Sequence, residues 1–301
     1  MTAAHADVAA NLRGMMHLKS GAPETLEDFK IADDAIRALR EFQSSPQPFF
    51  LAVGFRRPHV PLIAPQAAFD SYSPGRVRLP TDFRPMPEWK NVPADAFRPN
   101  LDLFFELAAT KVKAREFIAA YYACVSFMDS QLGRLLDELK RLDLAHNTIV
   151  VLVADHGWHL GQKGMWAKMT LFENSANVPL LIADPRRRTG GSRCRAIVES
   201  LDIYPTLTEL CDLPTPRNLE GMSLARFLDD PAARWDRPAR TVMLRNGHLA
   251  KSIRTARWRY TEYERGAELY DHQRDPHELH NLAGESKYSG AIAELKRAWD
   301  K

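Results

Sequence analysis

An apolar run that stops abruptly at a charged pair constrains the fold of this chain more than any other stretch. Residues 148–153, TIVVLV, are rich in β-branched residues and predict a buried strand, and Asp155 and His156 follow almost at once. Glycines at positions 157, 161 and 164 allow the backbone to turn tightly after this pair. A second apolar run over residues 178–183 predicts a neighbouring strand. The stretch therefore predicts two core strands joined by a loop that carries an acid and a base.

The pair Asp155 and His156 has two interpretations. Open α/β sheets place their ligands at the carboxyl ends of strands, where a carboxylate and an imidazole can bind a metal or orient an anion. Asp and Gly are also ordinary turn residues, so the same residues are compatible with a loop that only reverses the direction of the chain. The residues by themselves leave both interpretations open.

Length and composition exclude several classes of protein. The chain has 301 residues, 45% of them hydrophobic and 26% charged, which is typical of a soluble globular protein with a large core. A net charge of +3 would suit an anionic substrate and does not indicate a nucleic-acid partner. No stretch approaches the roughly 20 apolar residues that span a bilayer, and the N-terminus has no signal-peptide core. The three cysteines are too few for a disulfide framework.

Helices and strands alternate in the first part of the chain. The pattern from Thr25 predicts a helix that ends before Ser44, and residues 49–54 predict the strand that follows. His59 comes next, between Pro58 and Pro61, and such a histidine is more often structural than catalytic. Apolar residues spaced three and four apart predict one long helix over 111–141. This rhythm is typical of an α/β fold with a mostly parallel sheet flanked by helices.

The last part of the chain has a different pattern. Short apolar segments over 241–244, 250–255, 258–263 and 268–270 are separated by turn residues, which predicts an antiparallel sheet. A helix near residues 288–299 would cover it. We therefore predict an α/β domain over residues 1–235, which carries the candidate site, and a small antiparallel α+β subdomain over residues 236–301.

Several motifs occur in one order along the chain. They are PFFLAVGF followed by RRPHVP, then DHGWHLG, a glycine loop, WAK, VPL, and finally SIRTARWRYTEY with ELYDHQRDPHELHNLA. This order resembles the sulfatase family of the alkaline-phosphatase superfamily, and within it the iduronate-2-sulfatase branch. The resemblance runs from about residue 25 to about residue 283.

The resemblance implies a sulfatase fold, a function and a set of site residues. Sulfatases hydrolyse sulfate esters with a formylglycine, made from the first residue of a C/S-x-P-S-R motif, and a calcium ion. Matched by motif, Asp155 and His156 correspond to metal ligands, while His59 and Lys168 correspond to catalytic residues that contact the sulfate. Family members are typically secreted, periplasmic or lysosomal. A hard cation and cationic side chains would stabilise the charge that develops on the leaving oxygen.

The chain departs from the family pattern at the nucleophile. No C/S-x-P-S-R occurs in the 301 residues, and the paired aspartates that complete the calcium site have no counterpart, so the chain resembles the C-terminal two-thirds of a sulfatase. We expect a hydrolase of sulfated sugars or glycosaminoglycans that is inactive alone, with an incomplete calcium site and a missing N-terminal portion or partner chain. The alternatives are a non-catalytic remnant that binds anions or a partner and, less favoured, a phosphate-ester hydrolase of the same superfamily.

Overall fold

The computed structural model describes residues 17–20, 22–84, 91–97, 110–187, 190–245 and 247–300, with residues 17–20 described by their backbone alone. The helices are α1 (Glu27–Gln43), α2 (Gln66–Asp70), α3 (Lys111–Arg141), α4 (Glu173–Ala176), α5 (Ile203–Leu210) and α6 (Ser289–Trp299). The strands are β1 (His17–Ser20), β2 (Leu62–Pro65), β3 (Val150–Val153), β4 (His159–Leu160), β5 (Trp166–Ala167), β6 (Leu180–Ala183), β7 (Ala239–Arg245), β8 (His248–Arg254), β9 (Trp258–Tyr263) and β10 (Gly266–Asp271). No helix in the described ranges has the length and apolar character needed to cross a membrane.

The chain forms two compact units that are interleaved in sequence. Unit 1 comprises Met1–Met86, Asn100–Thr148 and Leu160–Trp166, and unit 2 comprises Pro87–Pro99, Ile149–His159 and Ala167–Lys301. The boundary predicted after residue 235 remains a prediction, as does its division of the chain into two domains.

Two long helices form the core of unit 1. Helix α3 spans the predicted residues, and the Thr110 side chain caps it by accepting a hydrogen bond from the Lys113 backbone N–H at 3.2 Å. It packs against α1 through small buried residues, which allow the two backbones to approach closely. At the edge of this contact Arg40 Nε donates to Glu138 Oε1 at 2.7 Å. The predictions of both helices are therefore confirmed.

Residues 49–54, which we predicted to form a strand, are extended but are not part of a sheet. Their exposure alternates along the segment in the manner of a strand, and Phe50 is 82% exposed. Among the described residues, none donates to or accepts from their backbone. The prediction of a paired strand is therefore not confirmed. An apolar pattern indicates an extended conformation, but it does not show whether another strand lies beside it to accept its backbone hydrogen bonds.

The strand that ends at the charged pair belongs to unit 2 and does have a partner. Strand β3 pairs with β6 in antiparallel register, with Leu152 opposite Leu181. No residue of either strand is fully buried, and Val153 is 42% exposed. The only parallel pairing described is that of β1 with β2 in unit 1. The predicted mostly parallel sheet is therefore not confirmed, since an apolar run does not specify the direction of its neighbour.

Strands β7 to β10 form the predicted antiparallel sheet, in the order β10-β9-β8-β7. Helix α6 packs on one face, where a core forms from Ile253, Tyr260, Leu269 and Leu295. Alternate residues of these strands point to the two faces, which is why the apolar set recurs at every second position. The prediction of a small antiparallel sheet with a terminal helix is therefore confirmed.

Candidate active site

Three of the four candidate side chains lie together in unit 2. Lys168 Nζ is 2.7 Å from His156 Nε2, and Asp155 Oδ2 is 3.3 Å from the same nitrogen. An ammonium has donors only, so Lys168 donates to Nε2 and the ring proton lies on Nδ1. That Nδ1 is 2.9 Å from the backbone oxygen of Gly157, to which it donates. The carboxylate of Asp155 is 85% exposed, and the cluster is therefore accessible to an ion or a ligand.

The backbone after Asp155 folds tightly because position 157 has no side chain. The Gly157 N–H donates to the backbone oxygen of Ser175 at 2.8 Å. A Cβ at position 157 would lie 2.2 Å from the backbone oxygen of Asn174, far inside van der Waals contact. The close approach of these two segments therefore requires glycine, and it fixes the loop that carries Asp155 and His156.

Lys168 lies in an unusual backbone conformation. Its neighbours Ala167 and Met169 both have left-handed backbones, with φ of +67° and +70°. Residues with a Cβ seldom adopt this conformation, and they keep it only where surrounding contacts hold it. Two such residues on either side of one lysine indicate that the direction of its side chain is set by the structure.

The fourth candidate, His59, lies in unit 1 on an exposed loop after residues 49–54. Buried Arg57 holds this loop by donating through Nη1 to the backbone oxygens of His59, at 2.9 Å, and Pro61, at 2.8 Å. The carboxylate of Asp28 on α1 accepts from the backbone N–H groups of Arg56 and Arg57. The loop is thus well supported, and a role for His59 in the same site as Lys168 remains a prediction.

The geometry fits a divalent cation only in part. The exposed carboxylate of Asp155 is a suitable oxygen ligand, but calcium takes about six to eight oxygens and this cluster offers one carboxylate. His156 Nε2 is in addition occupied by the Lys168 ammonium. The same ammonium, partly buried beside an imidazole, has further N–H donors and is suited to donating a hydrogen bond to an oxyanion such as sulfate.

Sequence reasoning missed a second cluster of acids and bases in unit 2. Glu173, His272 and Glu278 bring their ligand atoms within 4.8 Å of one another. Arg259 Nε is 2.7 Å from Glu278 Oε1, and Arg259 also contacts the carboxylate of Glu173. Arg254 also contacts Glu173, with Nε 3.3 Å from Oε2. Since two guanidinium groups already occupy these carboxylates, the cluster is a network of ion pairs and would repel a divalent cation.

Burial and charge act in opposite directions on this network. Burial would raise the pKa of Glu278, but the charge of Arg259 and the hydrogen bond from His272 outweigh it and lower that pKa. Burial would likewise lower the pKa of Arg259, whereas Glu278 and Glu173 raise it. The network therefore stays ionised. The motif ELYDHQRDPHELHNLA contains two of its members, but their spacing alone does not predict the contact.

Two family models match the chain. The model described as Sulfatase matches residues 6–213, and the model described as N-sulphoglucosamine sulphohydrolase, C-terminal, matches residues 161–301. Together they include all four candidate residues and the antiparallel sheet.

Relatives and a solved structure agree with these matches. A sulfatase of Formosa agariphila is 40% identical over 255 residues, which are 83% of this chain and 49% of that protein. Iduronate 2-sulfatase of Mus musculus is 27% identical over 361 residues, 90% of this chain and 64% of that protein. A structure in complex with its substrate D-glucosamine-2-N,6-O-disulfate superposes with a TM-score of 0.77 at 21% identity, covering 91% of this chain and 68% of that one.

The chain spans about half the length of the curated relatives that it matches. Its structural neighbours have the alkaline-phosphatase-like fold of sulfatases, which agrees with the resemblance seen in the sequence. Since the Sulfatase model matches well over half of the residues, the chain belongs to the sulfatase family.

Proposed function

We propose that this chain is the sulfate-binding portion of a sulfuric ester hydrolase that acts on sulfated sugars. The observation that carries the proposal is the contact between Lys168 Nζ and His156 Nε2 at 2.7 Å, beside the exposed carboxylate of Asp155. The names of the relatives, among them iduronate 2-sulfatase, support a sulfated sugar as the substrate class. The solved structure that is in complex with a disulfated glucosamine supports the same class.

Each side chain has a specific part in this proposal. Lys168 donates to a sulfate oxygen and neutralises its charge, and His59 is the expected second donor. Asp155 would hold the calcium ion, which when bound stabilises negative charge on the sulfate oxygens, and His156 would join it only if the Lys168 ammonium leaves Nε2. Because the described residues offer so few oxygen ligands, we expect calcium to bind weakly. If calorimetry gives a submicromolar affinity for calcium that is lost in Asp155→Asn, the calcium site is complete and this expectation is wrong.

The chain alone is proposed to bind sulfate without turning it over. Hydrolysis depends on a nucleophile held in line with the sulfur, and the 301 residues contain no C/S-x-P-S-R. We expect no sulfate release from a chromogenic aryl sulfate or from a 2-sulfated uronic acid disaccharide. We also expect weak binding of inorganic sulfate that is lost in Lys168→Met and kept in Lys251→Met, an exposed lysine of the same unit.

The matched control for Asp155 lies in unit 1. Asp143 is also exposed and also contacts a histidine, His146, at 3.4 Å. Asp143→Asn should therefore leave sulfate and calcium binding unchanged, whereas Asp155→Asn should weaken calcium binding. Sulfate release by the purified chain that disappears in Lys168→Ala would refute the proposal, because another group would then be the nucleophile.

A separate polypeptide or an N-terminal portion supplies the nucleophile in this proposal. The backbone of residues 49–54 supports it, because no strand within the described ranges pairs with this apolar segment, and such a segment is suited to receive one. The test combines the chain with the N-terminal part of the Formosa agariphila relative, which carries the remaining length. Turnover in the mixture only, and its loss in Lys168→Met, is expected. If the combined proteins associate and release no sulfate, the chain is a non-catalytic anion-binding protein.

A further inference from the structure

A buried arginine lies at the end of strand β7 and contacts the loop of Lys168. Arg245 is 6% exposed, and its Nη2 donates to the backbone oxygen of Met169 at 2.7 Å. Its Nε donates to the backbone oxygen of Asp95 at 3.0 Å. All of these residues belong to unit 2. One guanidinium therefore connects the antiparallel sheet with the residue that directly follows Lys168.

The chemistry of this contact is specific to arginine. A planar guanidinium has several donors in a rigid fork, so it can bind two carbonyl oxygens that lie in different directions. Burial lowers the pKa of Arg245, which shows that the charged group is held at a cost in solvation, while Tyr263 and Asp95 act in the opposite sense. Beside a weak contact with the Met243 sulfur at 3.5 Å, the hydrogen bonds of this buried cation go to two backbone oxygens, which places it to fix the course of the chain.

The carbonyl that Arg245 holds belongs to one of the two left-handed residues. Met169 has φ of +70° although its side chain is largely exposed. The next residue, Thr170, is buried, and its Oγ1 is 2.8 Å from His159 Nε2. The chain after Lys168 is thus held at two successive residues, at the Met169 backbone oxygen by Arg245 and at the Thr170 side chain by His159.

We propose that Arg245 is a positioning residue that directs Lys168 towards His156 by holding the Met169 carbonyl. The proposal rests on the proposed function in one respect, namely that Lys168 is the side chain that contacts sulfate. Without Arg245, Met169 relaxes to an ordinary backbone conformation, and the peptide that carries Lys168 rotates with it. Lys168 then leaves His156 Nε2, although its own side chain is unchanged.

The experiment compares Arg245→Met with Lys168→Met by two measurements. The first is the nitrogen NMR spectrum of the His156 ring, assigned with His156→Gln, which reports the hydrogen bond that Nε2 accepts. The second is the affinity for inorganic sulfate. We expect Arg245→Met to give the ring signals of Lys168→Met and to bind sulfate about tenfold more weakly or worse, the change expected when a charged hydrogen bond is lost. Arg245→Lys should give ring signals and a sulfate affinity between those of the unaltered chain and those of Arg245→Met.

The chain offers a matched control on the same strand. Arg240 Nη2 also donates to a backbone oxygen, that of Ala298, at 2.8 Å. Arg240→Met removes the same kind of contact far along β7 and should leave the His156 signals and sulfate affinity unchanged. If Arg245→Met lowers stability but keeps the wild-type ring signals and affinity, Arg245 is only structural and the proposal is wrong.

Failure of the proposed function would give a different result. If Lys168→Met binds sulfate as the unaltered chain does, Lys168 does not contact sulfate, and the ring signals of His156 still decide the role of Arg245. If Arg245→Met does not fold, Arg245→Lys tests the proposal instead, because lysine keeps the positive charge but lacks the planar set of guanidinium donors. Wild-type ring signals in Arg245→Lys would then overturn the proposal.

Discussion

The ion-pair network of unit 2 allows a quantitative prediction for Glu278→Gln. The Glu278 side chain is 1% exposed and contacts Arg259 Nε at 2.7 Å, His272 Nε2 at 3.0 Å and the Glu173 backbone N–H at 2.8 Å. Removing one partner of a buried pair costs about 3–5 kcal/mol, because the other charge is left uncompensated. Arg259 keeps Glu173 as a partner, and the new amide can still accept from the backbone. We therefore expect Glu278→Gln to lower the free energy of unfolding by about 3 kcal/mol, the lower end of this range.

The assay is urea unfolding at pH 7, followed by the fluorescence of Trp258 and Trp299 in the C-terminal core. A loss of about 3 kcal/mol lowers the folding equilibrium constant more than about a hundredfold. The control is Glu262→Gln on the same sheet, which loses an exposed pair with Lys296 at 2.7 Å. Exposed pairs contribute about 0–1 kcal/mol, so this variant should change little.

The reasoning also predicts that the charges are coupled. Arg259→Met alone leaves the buried carboxylate of Glu278 and the partly buried carboxylate of Glu173 with too few cations. The double variant with Glu278→Gln removes one charge of each sign. The double variant should therefore lose less stability than the two single losses added together. If Glu278→Gln is no more destabilising than Glu262→Gln, the network does not stabilise unit 2 in the way that its geometry suggests.

Three further predictions follow from individual residues. Gly157→Ala should prevent the loop after β3 from forming and reduce the yield of folded protein, whereas Gly54→Ala, where an added Cβ meets nothing within 4 Å, should not. Burial raises the pKa of the Cys124 thiol to about 12, so iodoacetamide at pH 8 should alkylate the two exposed cysteines and spare Cys124 until the chain unfolds. The folded pKa of Glu278 is lowered, so its contribution is present above the unfolded value of 4.5 and is lost as pH falls below it. Stability should therefore fall on acidification, and less steeply in Glu278→Gln.

Local patterns predicted the elements whose partners are close in sequence. The heptad-like spacing of apolar residues gave helix α3 to the residue, since the core face of a helix is visible in its own sequence. The short alternating segments likewise predicted the antiparallel sheet, whose strands are joined by tight turns.

Direction and pairing of distant strands could not be predicted in this way. Strand β3 has an apolar sequence that suits parallel and antiparallel neighbours equally, and it pairs with β6 in the antiparallel sense. Residues 49–54 have the pattern of a strand but find no partner among the described residues. In both cases the missing information lies in a second segment of chain.

The candidate site shows the same division. Motif order predicted Asp155, His156 and Lys168 as site residues, and the structure places their side chains together, while their roles remain a prediction. Arg245 carries no such signal, since it lies 76 residues from Met169 and its contact is made to a backbone oxygen that any residue has. A side chain that binds a backbone oxygen does not require a particular residue type at the accepting position. Such a contact therefore cannot be predicted from the sequence, and only the three-dimensional structure shows it.

We expect residues 49–54 also to affect how the isolated chain behaves at high concentration. The backbone N–H and C=O groups of this apolar segment have no partner within the part of the chain that the structure describes, and such a segment can pair with an identical copy, which is the first step of fibril formation. Pro46 and Pro48 precede the segment, and Arg56 and Arg57 follow it. Proline cannot extend a ladder and like charges repel, so these four residues limit growth at both ends. Replacing Pro46, Pro48 and Arg56 should increase aggregation, and none of the three contacts the side chains of Asp155, His156 or Lys168.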